Sequence, residues 1–317
     1  MSRIVFAGTP AIAAQALQSI LEAGFHVAGV LTRPDAPIGR RRTLTPSPVA
    51  QTAEEANIPT MKADNVDGEA SRQLSEWEPT LGVVIAYGAL LPPQVLQVPT
   101  QGWVNLHYSA LPKYRGAAPV QHAILSGEPT TAATIFQLEA GMDTGPIHGT
   151  RTYPIPEMTS SGAALTDLTD LGTQLLIDLL PALLDGTSHP APQTGEPTFA
   201  PKLTREDAYI DPAQPAEALV QRINATIPEP GAWTLYGEHR LKLGVARLYE
   251  GEITASPGRV QEMSSDRAGE GRTVVLAAGD GRGIVLNQVQ PAGKQMMNAA
   301  DWLRGQQDTV HLGGERA

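Results

Sequence analysis

Two short segments of this chain carry side chains able to act on a carbonyl. In Trp103-Val-Asn-Leu-His107, Asn105 and His107 are two residues apart, and on a strand that spacing puts both on one face. An Asn amide can donate to an oxygen that is gaining negative charge without changing its own charge. An imidazole can donate to that oxygen and also move a proton near neutral pH. The second segment, Gly141-Met-Asp-Thr-Gly145, comes after an apolar run predicted to be a strand. Two glycines around an aspartate suit a tight loop that holds a carboxylate at the carboxyl edge of a sheet, where α/β proteins bind ligands. Placed beside His107, Asp143 would orient the imidazole and raise its pKa. Taken alone, the first segment is matched evenly by a surface strand with two polar residues. The second is matched by an Asx-type turn, the commoner fate of an Asp between glycines.

Taken together the segments say more. Asn105-Leu-His107-Tyr-Ser109-Ala-Leu111-Pro112 with Gly141-Met-Asp143-Thr-Gly145 resembles the active-site signature of folate-dependent formyltransferases. The resemblance implies that Asn105, His107 and Asp143 are the catalytic set and that Ser109, Ala110, Leu111 and Pro112 line the folate site. Ala86-Tyr-Gly-Ala-Leu-Leu-Pro92 is similar to a folate-pocket loop of the same family, which adds Tyr87 and Gly88, although a plain strand-to-helix turn would read alike. Three further segments, Phe6 to Pro10, Arg33 to Pro48 and Gln290 to Lys294, resemble the branch that formylates methionine esterified to initiator tRNA, and they span nearly the whole chain. That resemblance implies a 10-formyltetrahydrofolate co-substrate, initiator methionyl-tRNA as partner and no metal. It also assigns Arg40, Arg41 and Arg42 to the acceptor end of the tRNA. Three adjacent guanidinium groups on a Gly- and Pro-rich loop can reach phosphates or stack on an unpaired base. Without the resemblance such a run reads as a solvated charge cluster.

Positioning these groups requires a sheet with cover on both faces. The first 60 residues alternate as a parallel α/β unit does: strand Ile4 to Ala7, a helix opened by Thr9-Pro10 and stopped at Gly24, then strand Val27 to Leu31. Apolar runs at Leu81 to Ala86 and Thr134 to Leu138 extend the sheet. Leucines at 165, 168, 171, 175, 176, 179 and 183 recur at helical spacing and predict a packed helix over 161–184. From His189 to Pro197 there is no apolar period and there are three prolines, which suits a semi-rigid tether. Beyond a short helix over 215–223, short alternating strands separated by Gly-rich turns predict a small barrel. The expected class is therefore α/β: a doubly wound, mostly parallel, Rossmann-like domain over 1–188, a linker over 189–204, and an OB-like β-barrel, the tRNA-binding domain by resemblance, over 205–317.

Composition narrows the alternatives. Without cysteine the chain has no disulfide, thiolate nucleophile or cysteine-ligated metal, and its seven scattered histidines lack ligand spacing. His26, His122 and His148 sit among apolar or small residues and read as structural. Gly8-Thr9-Pro10 is not a dinucleotide fingerprint, and Gly293-Lys294 lacks a phosphate loop. The first apolar run is too short for a secretion signal, and no stretch approaches the roughly 20 apolar residues that cross a bilayer. A cytoplasmic monomer without membrane contact is expected. The net charge of −10 excludes coating of nucleic acid by bulk attraction, so RNA must be met by local basic clusters. Two rivals remain: a formyltransferase acting on a small amine, such as a nucleotide or amino sugar, and a non-catalytic RNA-binding module.

Overall fold

An apolar run with no period must be covered from both sides, and Ile4–Gly8 (β1) is buried at every residue. The computed structural model describes residues 2–39, 41–66, 68–265, 267 and 271–314. Helix α1 (Ala11–Glu22) begins after Pro10, and Gly24, at φ +84°, turns the chain out of it. Strand β2 (Val27–Thr32) returns parallel beside β1. A two-stranded hairpin comes next, β3 (Ala36–Ile38) with β4 (Thr43–Thr45). Helix α2 (Pro48–Glu55) is capped by the Ser47 hydroxyl on the Ala50 N–H. The chain continues through β5 (Thr60–Lys62), α3 (Gly68–Glu76), β6 (Leu81–Ile85), α4 (Pro93–Leu96), β7 (Trp103–His107), α5 (Pro119–Leu125), β8 (Thr130–Gln137), β9 (Ile147–Pro154) and α6 (Ser161–Asp185).

The chain gathers into two compact units. Unit 1 comprises Met1–Pro119, Thr131–Tyr153 and Thr166–Phe199, and unit 2 comprises Val120–Thr130, Pro154–Leu165 and Ala200–Ala317. The sheet of unit 1 has seven strands in the order β5-β2-β1-β6-β7-β8-β9, with β5, β2, β1, β6 and β7 parallel and β8 antiparallel to β7. Its strand order reverses between β1 and β6, a crevice where α/β sheets bind ligands. On one face Val5, Ala7, Leu31, Val84 and Trp103 pack with Leu74 of α3 and Val95 of α4. The other face takes α6, and Gly172 permits the approach, since a Cβ there would lie 2.5 Å from Leu106. Of the leucines that predict this helix, 168, 175, 176 and 183 are buried and 165, 171 and 179 half-buried.

The sequence of unit 2 from Ala200 onward places α7 (Ala216–Ala225) before strands β10 (Trp233–Tyr236), β11 (His239–Leu243), β12 (Ala246–Tyr249), β13 (Arg259–Ser264), β14 (Arg272–Ala277), β15 (Gly283–Leu286), β16 (Gln288–Pro291) and β17 (Met297–Asn298). Helix α8 (Ala299–Arg304) and strand β18 (Val310–His311) complete it. The strands are antiparallel, as expected, but their pairing is divided between a four-stranded sheet, β10-β11-β16-β17, and a five-stranded sheet, β12-β15-β14-β13-β18. The two enclose one core, in which Leu241, Leu276 and Ile284 meet Leu219 of α7 and Trp302 of α8. Among the described residues no closed ring of pairing forms, and no helix is long and apolar enough to cross a membrane.

Candidate active site

Strand β7 brings Asn105 and His107 to the face that carries Val84 and Trp103, because side chains two apart on a strand point the same way. Asn105 pairs in register with Val84 of β6 and lines a cleft of about 750 Å³. Leu90, Leu91, Leu96, Val66, Leu138 and Met142 supply its apolar wall; Asn65, Gln94, Glu139 and Asp143 join Asn105 as its polar groups. Leu90 and Met142 are largely exposed. His107 is 5% exposed, and the Phe136 ring stands edge-on to it, 6.2 Å between centroids.

The Gly141–Gly145 loop does deliver Asp143 to His107: Oδ2 lies 3.8 Å from Nδ1. That is beyond hydrogen-bond reach, so the pair interacts through charge. Asp143 adopts φ +51°, an uncommon conformation for a non-glycine residue. Gly145 is required by close approach, since a Cβ there would fall 1.8 Å from the Gln137 carbonyl oxygen. One neighbouring loop holds both partners. The Tyr114 carbonyl sits 3.0 Å from His107 Nε2, and the Gly116 N–H donates to Asp143 Oδ2 at 2.7 Å. With Nε2–H donating to Tyr114, the neutral ring keeps its lone pair on Nδ1, toward the carboxylate.

The pKa of His107 corrects the sequence expectation. Asp143 does raise it, as does the Tyr114 carbonyl, but burial is the larger influence and the net direction is downward from 6.5. Burial therefore favours the neutral imidazole.

The residues expected at the folate site fall elsewhere than the cleft wall. Ser109 is fully buried, its hydroxyl donating to the Lys113 carbonyl at 2.6 Å, and Leu111 is buried too. Ala110 is exposed, and Pro112 is buried. Tyr87 is in the core of unit 1 with its hydroxyl on the Ala63 carbonyl at 2.7 Å, and Gly88 turns the chain at φ +89°. It is the residues just after this pair, Ala89 to Gln94, that line the cleft. A doublet of leucines between a glycine and two prolines, on neither a helical nor a strand period, was the available signal. Arg41 and Arg42 are exposed at the tip of the β3–β4 hairpin, where Arg42 donates its N–H to the Gly39 carbonyl at 3.1 Å; Arg40 lies outside the described residues. Of the three histidines read as structural, His122 meets the Pro201 carbonyl, and His148 bridges Ser188 and Gln137.

Unit 2 holds a second hollow, of about 450 Å³, which the sequence reading missed. Arg205, Arg240 and Lys242 line it around Trp233, with the Arg240 guanidinium 4.7 Å from the ring centroid, and among the described residues no carboxylate lines it. Its cations come from two separated places in the chain, Arg205 and the alternating Arg240 and Lys242 of β11, so no run of adjacent charges betrays them. Among the described residues no cluster of three or more His, Asp or Glu is placed to hold a metal ion.

The fold and the amide, imidazole and carboxylate on one sheet edge define an α/β site suited to acyl chemistry. Residues 2–180 match the formyl transferase family and residues 202–307 match its C-terminal domain. The chain belongs to the formyl transferase family. Its curated relatives include the methionyl-tRNA formyltransferases of Renibacterium salmoninarum, 48% identical, and Paenarthrobacter aurescens, 45% identical, each alignment covering 96% of both chains. Among solved structures it is similar to methionyl-tRNA formyltransferase from Clostridium thermocellum (TM-score 0.56, 20% identity, 80% of this chain and 96% of that one). It is also similar in fold to an N-formyltransferase from Helicobacter canadensis (TM-score 0.68, 18% identity, 92% and 100%).

Proposed function

We propose that this chain transfers the formyl group of 10-formyltetrahydrofolate to the amino group of methionine on initiator tRNA, working as a cytoplasmic monomer. In this reading residues 1–188 carry the chemistry, residues 205–317 meet RNA, and 189–204 join them. The observation that carries it is the convergence of Asn105 and Asp143 on one cleft, with His107 behind them. The cleft fits such a donor: its volume lies in the range of small-molecule sites, and apolar walls with a few polar groups suit a flat heteroaromatic ring. When bound, the donor supplies an activated formyl carbon.

The protein's part is to hold charge and move a proton. Asn105 donates to the formyl oxygen as the methionyl amine adds and that oxygen becomes negative. His107, neutral because it is buried, has a lone pair on Nδ1 ready for the proton the amine sheds. Asp143 stabilises the imidazolium so formed across 3.8 Å, and His107 returns that proton to the donor's leaving nitrogen as the bond from it to the formyl carbon breaks. Neither a covalent enzyme intermediate nor a redox step is needed, so alignment of the two substrates supplies much of the acceleration. Basic groups at the hairpin tip and in the Arg205–Trp233–Arg240 hollow offer guanidinium and aromatic contacts to RNA.

The test is to mix the protein with radiolabelled donor and, separately, methionyl initiator tRNA, an amino-sugar nucleotide and a purine-pathway amine. Label should pass to the tRNA. Transfer to a small amine alone would assign the other acceptor class, and no transfer to any acceptor would leave the non-catalytic RNA-binding reading.

A further inference from the structure

The Pro-rich segment after α6 has one covered side chain. From Ala191 to Phe199 every residue is exposed except Gln193. Its amide nitrogen donates to two carbonyls of the aspartate loop, Asp143 O at 2.7 Å and Gly145 O at 2.8 Å. Its amide oxygen accepts from Arg115 Nη2 at 2.6 Å and Nε at 3.3 Å. All of its amide hydrogen-bonding groups are engaged, and they tie the loop bearing Asp143 to the loop that, one residue to either side of Arg115, holds His107 through Tyr114 and Asp143 through Gly116.

The segment itself is anchored at both ends. Ala191 and Ile147 exchange backbone hydrogen bonds at 2.7 and 2.8 Å, and Thr198 receives the Tyr114 N–H on its hydroxyl at 2.8 Å and the Arg115 N–H on its carbonyl at 2.9 Å. Gln193 is thus presented from a fixed strap. The position it serves needs support, because Asp143 sits at φ +51°, and an uncommon backbone conformation persists where its surroundings over-determine it.

We propose that Gln193 is a positioning residue for the formyl transfer: it locks the aspartate loop so that the Asp143 carboxylate stays in register with His107. The inference rests on the catalytic reading above. Only an amide does this work. A carboxylate in its place would still pair with Arg115 but would set oxygen lone pairs against two carbonyl oxygens.

Two variants of the full-length protein test it, with Asp143→Asn as reference. Gln193→Ala removes all the bonds, and Gln193→Glu keeps the size and the Arg115 pair, so a fold defect in one does not remove the other. Both should lower kcat by about ten- to a hundredfold, the scale of an ångström-sized misplacement, while KM for methionyl-tRNA stays near wild type. Asp143 is the charged group whose field acts on His107. Freeing it in Gln193→Ala should therefore move the acid midpoint of the rate downward, toward that of Asp143→Asn; Gln193→Glu, which brings a carboxylate of its own, is read by kcat alone. Wild-type kcat in both Gln193 variants and a wild-type midpoint in Gln193→Ala, with Asp143→Asn impaired, would overturn the positioning role and leave the catalytic reading intact. In Gln193→Ala a lower kcat with an unmoved midpoint overturns it too, since that is what mere loss of stability produces. If Asp143→Asn itself turns over normally, the catalytic reading fails first.

Discussion

Burial and the Asp143 carboxylate pull His107 in opposite directions, and burial wins. For a residue that must accept a proton, the useful form is the neutral one, so the rate should fall as pH drops through the His107 midpoint and be level above it. That midpoint is expected below the ordinary 6.5. Replacing Asp143 by Asn removes a raising influence, so the midpoint should move lower still; a pH–rate profile of kcat/KM checks both, and an unmoved midpoint would disconnect the two side chains. Removal of the groups themselves should cost more. Asn105→Ala, His107→Ala and Asp143→Ala should each reduce turnover by about two to four powers of ten with the fold retained by circular dichroism. A folded His107→Ala protein with normal turnover would end the assignment. Which residues face one another could be read from the spacing of Asn105 and His107. The sign of the pKa shift could not, because it depends on Phe136 and the neighbouring strands, which no local pattern of β7 reveals.

At the scale of elements, one loop shapes the site and another carries the proposed RNA contact. Gly145→Ala would push a Cβ onto the Gln137 backbone at the end of β8, so main chain rather than a flexible side chain would have to shift. The expected outcome is a roughly hundredfold lower kcat from displacement of Asp143, measured beside unchanged circular dichroism; normal turnover would show that the loop relaxes without harm. The arginine loop is a β-hairpin, so Arg41 and Arg42 are held out on a short ribbon rather than on free coil. Replacing Arg40, Arg41 and Arg42 by Ala should weaken tRNA binding and flatten its salt dependence by about one logarithmic unit of slope per lost phosphate contact, with donor affinity spared. Titrations at several salt concentrations decide it, equal slopes removing the hairpin from the RNA interface. Much of the parallel sheet was legible because its strands are uninterrupted apolar runs between turn signals. The hairpin was not: three-residue strands containing Pro37 carry too little pattern. The cleft wall was legible in part: the segment Ala86 to Pro92 was singled out by resemblance, but Tyr87 and Gly88 were chosen from it, whereas Ala89 to Gln94, running into the start of α4, are the residues that line the cleft.

For the molecule as a whole, a charge of −10 means RNA is repelled except where cations collect without acidic neighbours. The hollow around Trp233 is such a place. Arg240→Ala should lower tRNA affinity and the magnitude of its salt slope by about one unit, and leave formyl donor affinity at the wild-type value. A slope equal to wild type would assign the hollow some role other than gripping phosphate.

The two units are not successive beads. The chain passes from one to the other after residues 119, 130, 153, 165 and 199, which bears on how the protein is made. A nascent chain that has reached Phe199 contains all of unit 1, yet it also carries 120–130 and 154–165, whose partners are still untranslated. The Ser161 hydroxyl and the Gly162 N–H both await the Ile227 carbonyl, and His122 awaits that of Pro201. Biosynthesis thus leaves two stretches of the early chain unsatisfied until the late chain emerges. A fragment ending at Phe199 should be cut by protease within 120–130 and 154–165 when expressed alone and be protected there when 200–317 is co-expressed as a separate chain.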